Sequence, residues 1–343
     1  MNVRAIRPKP REAGFTLVEL MISLVLFSFA IAGVLAVAVS MTQGFREQRA
    51  GVEAESAVRV PMDFLADAIR QASPAAPNLT LPLTGSNTNI QDANTCWNGA
   101  ITVMNNQSGS GSGAPSGWDS LDVIYASGAV VTSSRGVYTS GTTSLDITDA
   151  SQLAVGDSIV ISNTSQGTLT TITGITGNTL TLANQCSGSG GLLLPSGGYP
   201  AGSLVIRAQH ATFTIDAIDG VPTLMMDPDG NGPQAPQPLA EGIEDMQIAL
   251  GVDRFGSGYL SEVGATADDD DWVGNVAGDT QNAGVVRAVR ISLVARTTSG
   301  LVGDLNQYYR PAVEDHAAST TPDQYRRRVL KTIVEIRNMA QSP

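Results

Sequence analysis

Apolar positions run almost unbroken from Phe15 to Val39, with one charge, Glu19, inside the run. As a helix this stretch is about 37 Å long at about 1.5 Å per residue, enough to cross a bilayer core. From Met41 to Ser73 the pattern changes. Phe45, Val52, Val60, Phe64, Ala68 and Ile69 recur at threes, fours and sevens or eights, and Arg46, Glu47, Arg49, Glu53, Glu55, Arg59 and Arg70 fill other faces. That spacing predicts an amphipathic helix laying one stripe on a globular part. Pro61 inside it predicts a kink, and Ser73-Pro74-Ala75-Ala76-Pro77 ends it.

Beyond residue 75 the period shortens to two. Leu121, Val123 and Tyr125 alternate with Asp122, Ile124 and Ala126. Phe213, Ile215 and Ala217 alternate with Thr212, Thr214 and Asp216, and Asp219-Gly220 then supplies a two-residue hairpin turn. Val289 to Arg296 and Leu330 to Arg337 repeat the pattern. Residues 136–195 form a Ser/Thr/Gly-rich block with short strands at Ser158 to Ser162, Thr168 to Ile175 and Thr179 to Leu182, read as a β insertion or a second small β lobe. The predicted class is α+β, a long N-terminal helix packed on an antiparallel sheet buried on one face.

Charge orients the helix. Residues 1 to 14 hold Arg4, Arg7, Lys9 and Arg11 against Glu12, a basic flank that stays in the cytoplasm while the rest passes outward. A cleaved secretory signal is the rival, with Ala36-Val37-Ala38 as its cleavage site, but a signal's apolar core runs only about 7–15 residues. Glu19 needs a reason, since a carboxylate in a membrane span costs a few kcal/mol unless paired or snorkelling to the edge. The whole chain has a net charge of −12, which argues against a nucleic-acid partner. Lys9 and Lys331 are the only lysines, and neither sits in a P-loop.

Gly14-Phe15-Thr16-Leu17-Val18-Glu19-Leu20-Met21 resembles the class III signal of type IV pilins and type II secretion pseudopilins. The resemblance implies a prepilin peptidase that cuts after Gly14, methylates Phe15 as the new N-terminus, and leaves Glu19 as the acid that directs assembly. Four further blocks resemble the PilW family of minor type IV pilins: Trp118 to Val123, Leu239 to Gln247, Val289 to Thr297, and Tyr325 to Val329 continuing through Ile336-Arg337-Asn338. The 136–195 insertion does not follow that family pattern. Together these imply a pilin-like protein with a leader at 1–14, a transmembrane helix at 15–40, its amphipathic continuation at 41–74 and a β-rich outer domain at 75–343.

The implied role is a minor pilin that primes pilus assembly or sits in the tip complex. Its partners would be other minor pilins and the major pilin through the helix, the prepilin peptidase, and a PilY-type adhesin. It would reside in the inner membrane, then in the pilus at the cell surface. A J-type minor pseudopilin of a type II secretion system and a membrane-anchored periplasmic binding domain are the alternatives.

Cys96 and Cys186 are the only cysteines. In an exported domain the pair predicts a disulfide closing a loop of about 90 residues, stabilising by roughly 4–5 kcal/mol in the chain-entropy model; two buried thiols are the other option. Asp227-Pro228-Asp229-Gly230-Asn231-Gly232 begins like a calcium loop, making Asp227, Asp229 and Asn231 weak ligand candidates, but its twelfth position is Pro238 where glutamate is needed. A polar turn explains it as well. Asp268 to Asp271 reads as a solvated acidic tip. His210 and His316 lack zinc-ligand spacing, and neither has a positioned nucleophile and acid in the sequence, so the reading is no enzyme, no cofactor and no metal.

Overall fold

The computed structural model describes residues 16–72, 80–81, 90–92, 100–110, 113–139, 142–164, 166–183, 197–230, 234–253, 260, 272–274, 284–300 and 307–336. It divides into two compact units, Met1–Ala50 and Gly51–Pro343. One helix, α1 (Leu17–Arg70), contains Pro61 without interruption. The strands are β1 (Thr80–Leu81), β2 (Ile90–Asp92), β3 (Ile101–Ser108), β4 (Ser116–Ser133), β5 (Ser144–Asp146), β6 (Ser158–Ser162), β7 (Gly167–Thr176) and β8 (Thr179–Leu182). They continue with β9 (Leu204–Ile218), β10 (Val221–Asp227), β11 (Gln237–Glu241), β12 (Ile243–Asp253), β13 (Trp272–Val273), β14 (Gly284–Arg296) and β15 (Arg327–Glu335).

Two sheets form the second unit. In the smaller, β14 is central, pairing antiparallel with β12 on one side and with β15 and β1 on the other, and β13 adds to β12. In the larger, β4 and β9 pair along most of their lengths, β3 joins β4, and β9 also takes β6 and β10. Strands β6, β7, β8 and β5 follow in order, and β2 lies parallel to β7. The Asp219-Gly220 turn is where the sequence put it: Ile218 pairs with Val221, and both turn residues have positive φ, 51° and 79°. That is the two-residue geometry whose twist suits a hairpin.

The helix stripe differs from the expected one. Ala54, Val58, Met62, Leu65, Ala66, Ala68, Ile69 and Ala72 are buried and share one core with β3, β4, β9, β10, β12, β14 and β15. Ala68 and Ile69 were expected there; Val52 and Val60 instead project into solvent, at 67% and 69% exposure, and Phe45 in the first unit is exposed too. Of the buried helix residues Ala54, Ala66 and Ala68 are alanines, and Val58, Met62, Leu65 and Ile69 supply the bulk of the packing. Phe64 lies at the margin and meets Phe213 edge-on, ring centres 6.0 Å apart.

Burial on one face also gives way to burial on two. Every residue of β12 is buried, and in β4 Asp119, Ser120 and Asp122 are as buried as Leu121 and Val123. The helix covers one face of the smaller sheet. A backbone-paired hairpin, Tyr308 to Asp323, crosses the other, bonded across Tyr308 and Asp323, Arg310 and Ser319, and Val313 and His316. Strand β15 keeps the expected alternation, with Val334 buried and Val329 and Ile333 exposed.

Strands β6 to β8 lie where the alternation predicted them. Residues Tyr138, Leu145, Ile147, Leu153, Ile159, Ile161, Ile172, Leu180, Leu182 and Tyr199 make a second core. In β6 the alternation serves both cores: Ile159 and Ile161 point into the second, Val160 into the main one.

Candidate functional site

The helix begins with a reciprocal cap. Thr16 donates to Glu19 Oε2 from its backbone nitrogen (3.0 Å) and its hydroxyl (2.8 Å), and the Glu19 backbone N–H donates back to Thr16 Oγ1 at 3.3 Å. A threonine with glutamate three residues on is a capping box, which satisfies amide donors that helical bonding leaves open. Glu19 therefore has an intramolecular role that its position in an apolar run had concealed.

Leu17–Thr42 is, among the described residues, long and apolar enough to cross a membrane. Leu17, Leu24, Phe27, Phe29 and Val34 in it are more than half exposed. Three of its hydroxyls bond back along the helix: Ser23 donates to the Glu19 carbonyl (2.7 Å), Ser28 to that of Leu24 (2.8 Å) and Thr42 to that of Ala38 (2.8 Å). Back-bonding of this kind lowers the cost of a hydroxyl in lipid. Gly14, Phe15, Cys96, Cys186, Asn231 and Asp268 to Asp271 lie outside the described residues.

Asp227 and Asp229 form a polar turn. Asp227 Oδ1 accepts from the Asp229 N–H at 3.2 Å and Asp229 Oδ2 from the Gln234 N–H at 2.9 Å. Among the described residues no group of three His, Cys, Asp or Glu side chains is arranged to hold a metal. Beneath that turn His210, 3% exposed, faces Asp122 at 3.9 Å. Burial pushes the Asp122 carboxyl up, against the Thr212 hydroxyl and His210, which pull it down.

His316 does meet an acid, 71 residues away. Its Nδ1 lies 2.8 Å from Asp245 Oδ2, and its Nε2 lies 2.8 Å from Arg310 Nη2. A guanidinium can only donate, so Nε2 accepts and Nδ1–H donates to Asp245. Both ring nitrogens are thereby engaged, and neither is open to move a proton on a substrate. Gly117 makes room for the ring, since a Cβ there would lie 2.5 Å from Nε2. Nothing local in the sequence marks Asp245 as the partner of His316, because it comes from β12, whereas Arg310 lies six residues away in the same hairpin.

Comparison with known proteins gives two matches. Residues 9–35 match the prokaryotic N-terminal methylation motif, and residues 212–338 match the Type IV Pilus-assembly protein W family. The chain is a minor type IV pilin of the PilW family. No curated protein matches the chain. The second match runs from Thr212, within β9, through β15 and includes the Tyr308–Asp323 hairpin; the 136–195 insertion and the Trp118 to Val123 block lie outside both. The pilin is anchored in the inner membrane by its N-terminal helix with the C-terminal domain outside, and it acts in pilus assembly. It works with other components of the pilus.

Proposed function

We propose that this pilin primes pilus assembly or takes a place in the tip complex as a non-enzymatic subunit, and that Glu19 is the residue through which its helix docks. The observation carrying this is the Thr16–Glu19 cap at the head of a lipid-compatible helix. A carboxylate held there lies beside the expected methylated Phe15 terminus, where the ammonium of a neighbouring subunit can meet it. Other minor pilins, the major pilin and a PilY-type adhesin are the proposed neighbours. Residues 1–14 are then the leader that the prepilin peptidase removes, 15–40 the membrane span, 41–74 its continuation and 75–343 the outer domain.

Mass spectrometry of protein recovered from sheared pili tests the processing. The expected N-terminus is methylated Phe15; an intact Met1, or a terminus after Ala38, overturns the reading.

A Cys96–Cys186 disulfide is proposed for the exported domain. Non-reducing peptide mapping of protein folded outside the cytoplasm should recover the linked peptide pair, and two free thiols would refute it.

A further inference from the structure

The tip of the Tyr308–Asp323 hairpin enters the junction of the two sheets and brings its own charges. Glu314 at the tip has φ of 49°, a left-handed conformation uncommon for a residue with a side chain. Its carboxylate is held by Arg290 Nη2 (2.6 Å) and Ser292 Oγ (3.0 Å) of β14 and by Lys331 Nζ (2.8 Å) of β15. Asp315 Oδ2 accepts from Asn105 Nδ2 of β3 at 2.6 Å, so one two-residue tip grips both sheets. Asp315 Oδ1 is buried without a partner.

Three carboxylates converge there. Asp119 of β4 is 1% exposed; its Oδ2 accepts from the Ile248 N–H of β12 at 2.9 Å, and its Oδ1 receives a long contact from the Asn106 N–H at 3.4 Å. Asp245 of β12 is bonded by Arg310 at 2.8 Å, by His316, and by Gln247 Nε2 at 2.8 Å. Asp315 comes from the hairpin itself. Around this group, β3 offers Asn105 and Asn106, and β12 offers Asp245 and Gln247. The hairpin offers Arg310, Asp315 and His316, while Arg290 and Lys331 are committed to Glu314. Arg310 is bonded to Asp245 alone of the three acids, and full ionisation leaves excess negative charge in a desolvated junction.

We propose that the hairpin is a proton-controlled latch: a proton held on Asp119, beside the carboxylates of Asp245 and Asp315, keeps its tip seated between the sheets, and loss of that proton frees the tip. Asp119 is the group best placed to hold it. Burial pushes its carboxyl up to about 7; the Ile248 N–H opposes this, and repulsion from Asp315 and then Asp245 adds to it. The folded value lies above the unfolded one, so the seated form binds the extra proton between about pH 4 and pH 7. Seating therefore strengthens as pH falls through 7 and weakens as pH rises through it. Asp315 feels the change directly, since it is the like charge carried by the moving tip.

Hydrogen exchange on the full-length pilin in detergent micelles tests this, corrected for the intrinsic pH dependence of exchange. The amides of Val313, His316, Ser319 and Asp323, each bonded within the hairpin, report on the latch. Their protection should fall about ten-fold between pH 6 and pH 8 while the amides of β14 hold. Asp119→Asn mimics the protonated acid and should keep the hairpin protected at both pH values. Asp315→Asn removes the same repulsion from the tip side and serves if the first variant does not fold. A flattened profile in at least one variant supports the latch. A wild-type profile without slope, or a slope kept by every variant that folds, overturns it.

Discussion

Glu19→Gln should leave this pilin in the membrane at near wild-type level and cut its incorporation into pili by about ten-fold or more. Glutamine accepts the Thr16 N–H and hydroxyl as glutamate does, so the helix start survives. Insertion is unharmed, because an amide costs less in lipid than a carboxylate. What disappears is the charge, and a close charged pair between proteins carries a coupling of about 1.5 kcal/mol or more, about ten-fold in affinity. Thr16→Ala is the complementary change: it removes the side-chain cap, at a cost of about 1 kcal/mol to the helix start, and leaves the charge. Membrane level, crosslinking to other pilin subunits and pilus count should be measured for both. If Thr16→Ala lowers assembly as far as Glu19→Gln does, the carboxylate serves only as a cap and the docking role is lost.

Arg327→Ala should destabilise the outer domain by about 3–5 kcal/mol, the usual cost of stripping one partner from a buried ion pair. Arg327, only 7% exposed at its side chain, reaches both Glu244 Oε1 and, at 3.2 Å, Glu244 Oε2. Its Nη1 also donates to Asp323 Oδ1 at 2.7 Å, closing the base of the hairpin. Without the guanidinium, the buried Glu244 carboxylate loses its cation. Domains are stable by about 5–15 kcal/mol, so the melting temperature should drop on the order of 10 °C.

The pair also has a pH signature. Burial raises the Asp323 carboxyl, but the Arg327 guanidinium and the Tyr325 N–H outweigh it and hold the group below its ordinary range. That stabilisation is present above the unfolded value near 3.8 and is lost as pH falls through the lower folded value. Thermal melts of wild type should therefore lose stability at strongly acid pH, and Arg327→Ala should lose less of it. A variant that melts within about 2 °C of wild type would show that the pair is replaceable. Asp119 acts with the opposite sign and in a higher window, so the two carboxylates can be separated by titrating melts and hairpin exchange together.

Local chemistry made some of this fold legible. An apolar span, a hairpin at Asp219-Gly220, and strands at 158–162 and 179–182 all follow from residue type at neighbouring positions. The bond Glu19 makes is just as local, with Thr16 three residues away, although the apolar run around it points to the membrane and not to a cap. Short-range bonds and the backbone preferences of glycine and aspartate act before any tertiary contact forms.

Tertiary structure decided which face of each element is covered, because burial depends on what arrives from elsewhere in the chain. Val52 and Val60 have the spacing of a core stripe, yet the face carrying Val58, Met62, Leu65 and Ile69 is the one that is covered. Asp119, Asp245 and Gln247 are polar residues of β4 and β12, and a hairpin some 70 residues beyond Asp245 and Gln247 and about 200 beyond Asp119 covers them. His316 was visible as a histidine, but its meaning depended on Asp245 of β12 arriving from 71 residues away and on the hairpin folding Arg310 back against the ring. Periodicity records that a face is apolar or polar; only packing determines what neutralises the polar one.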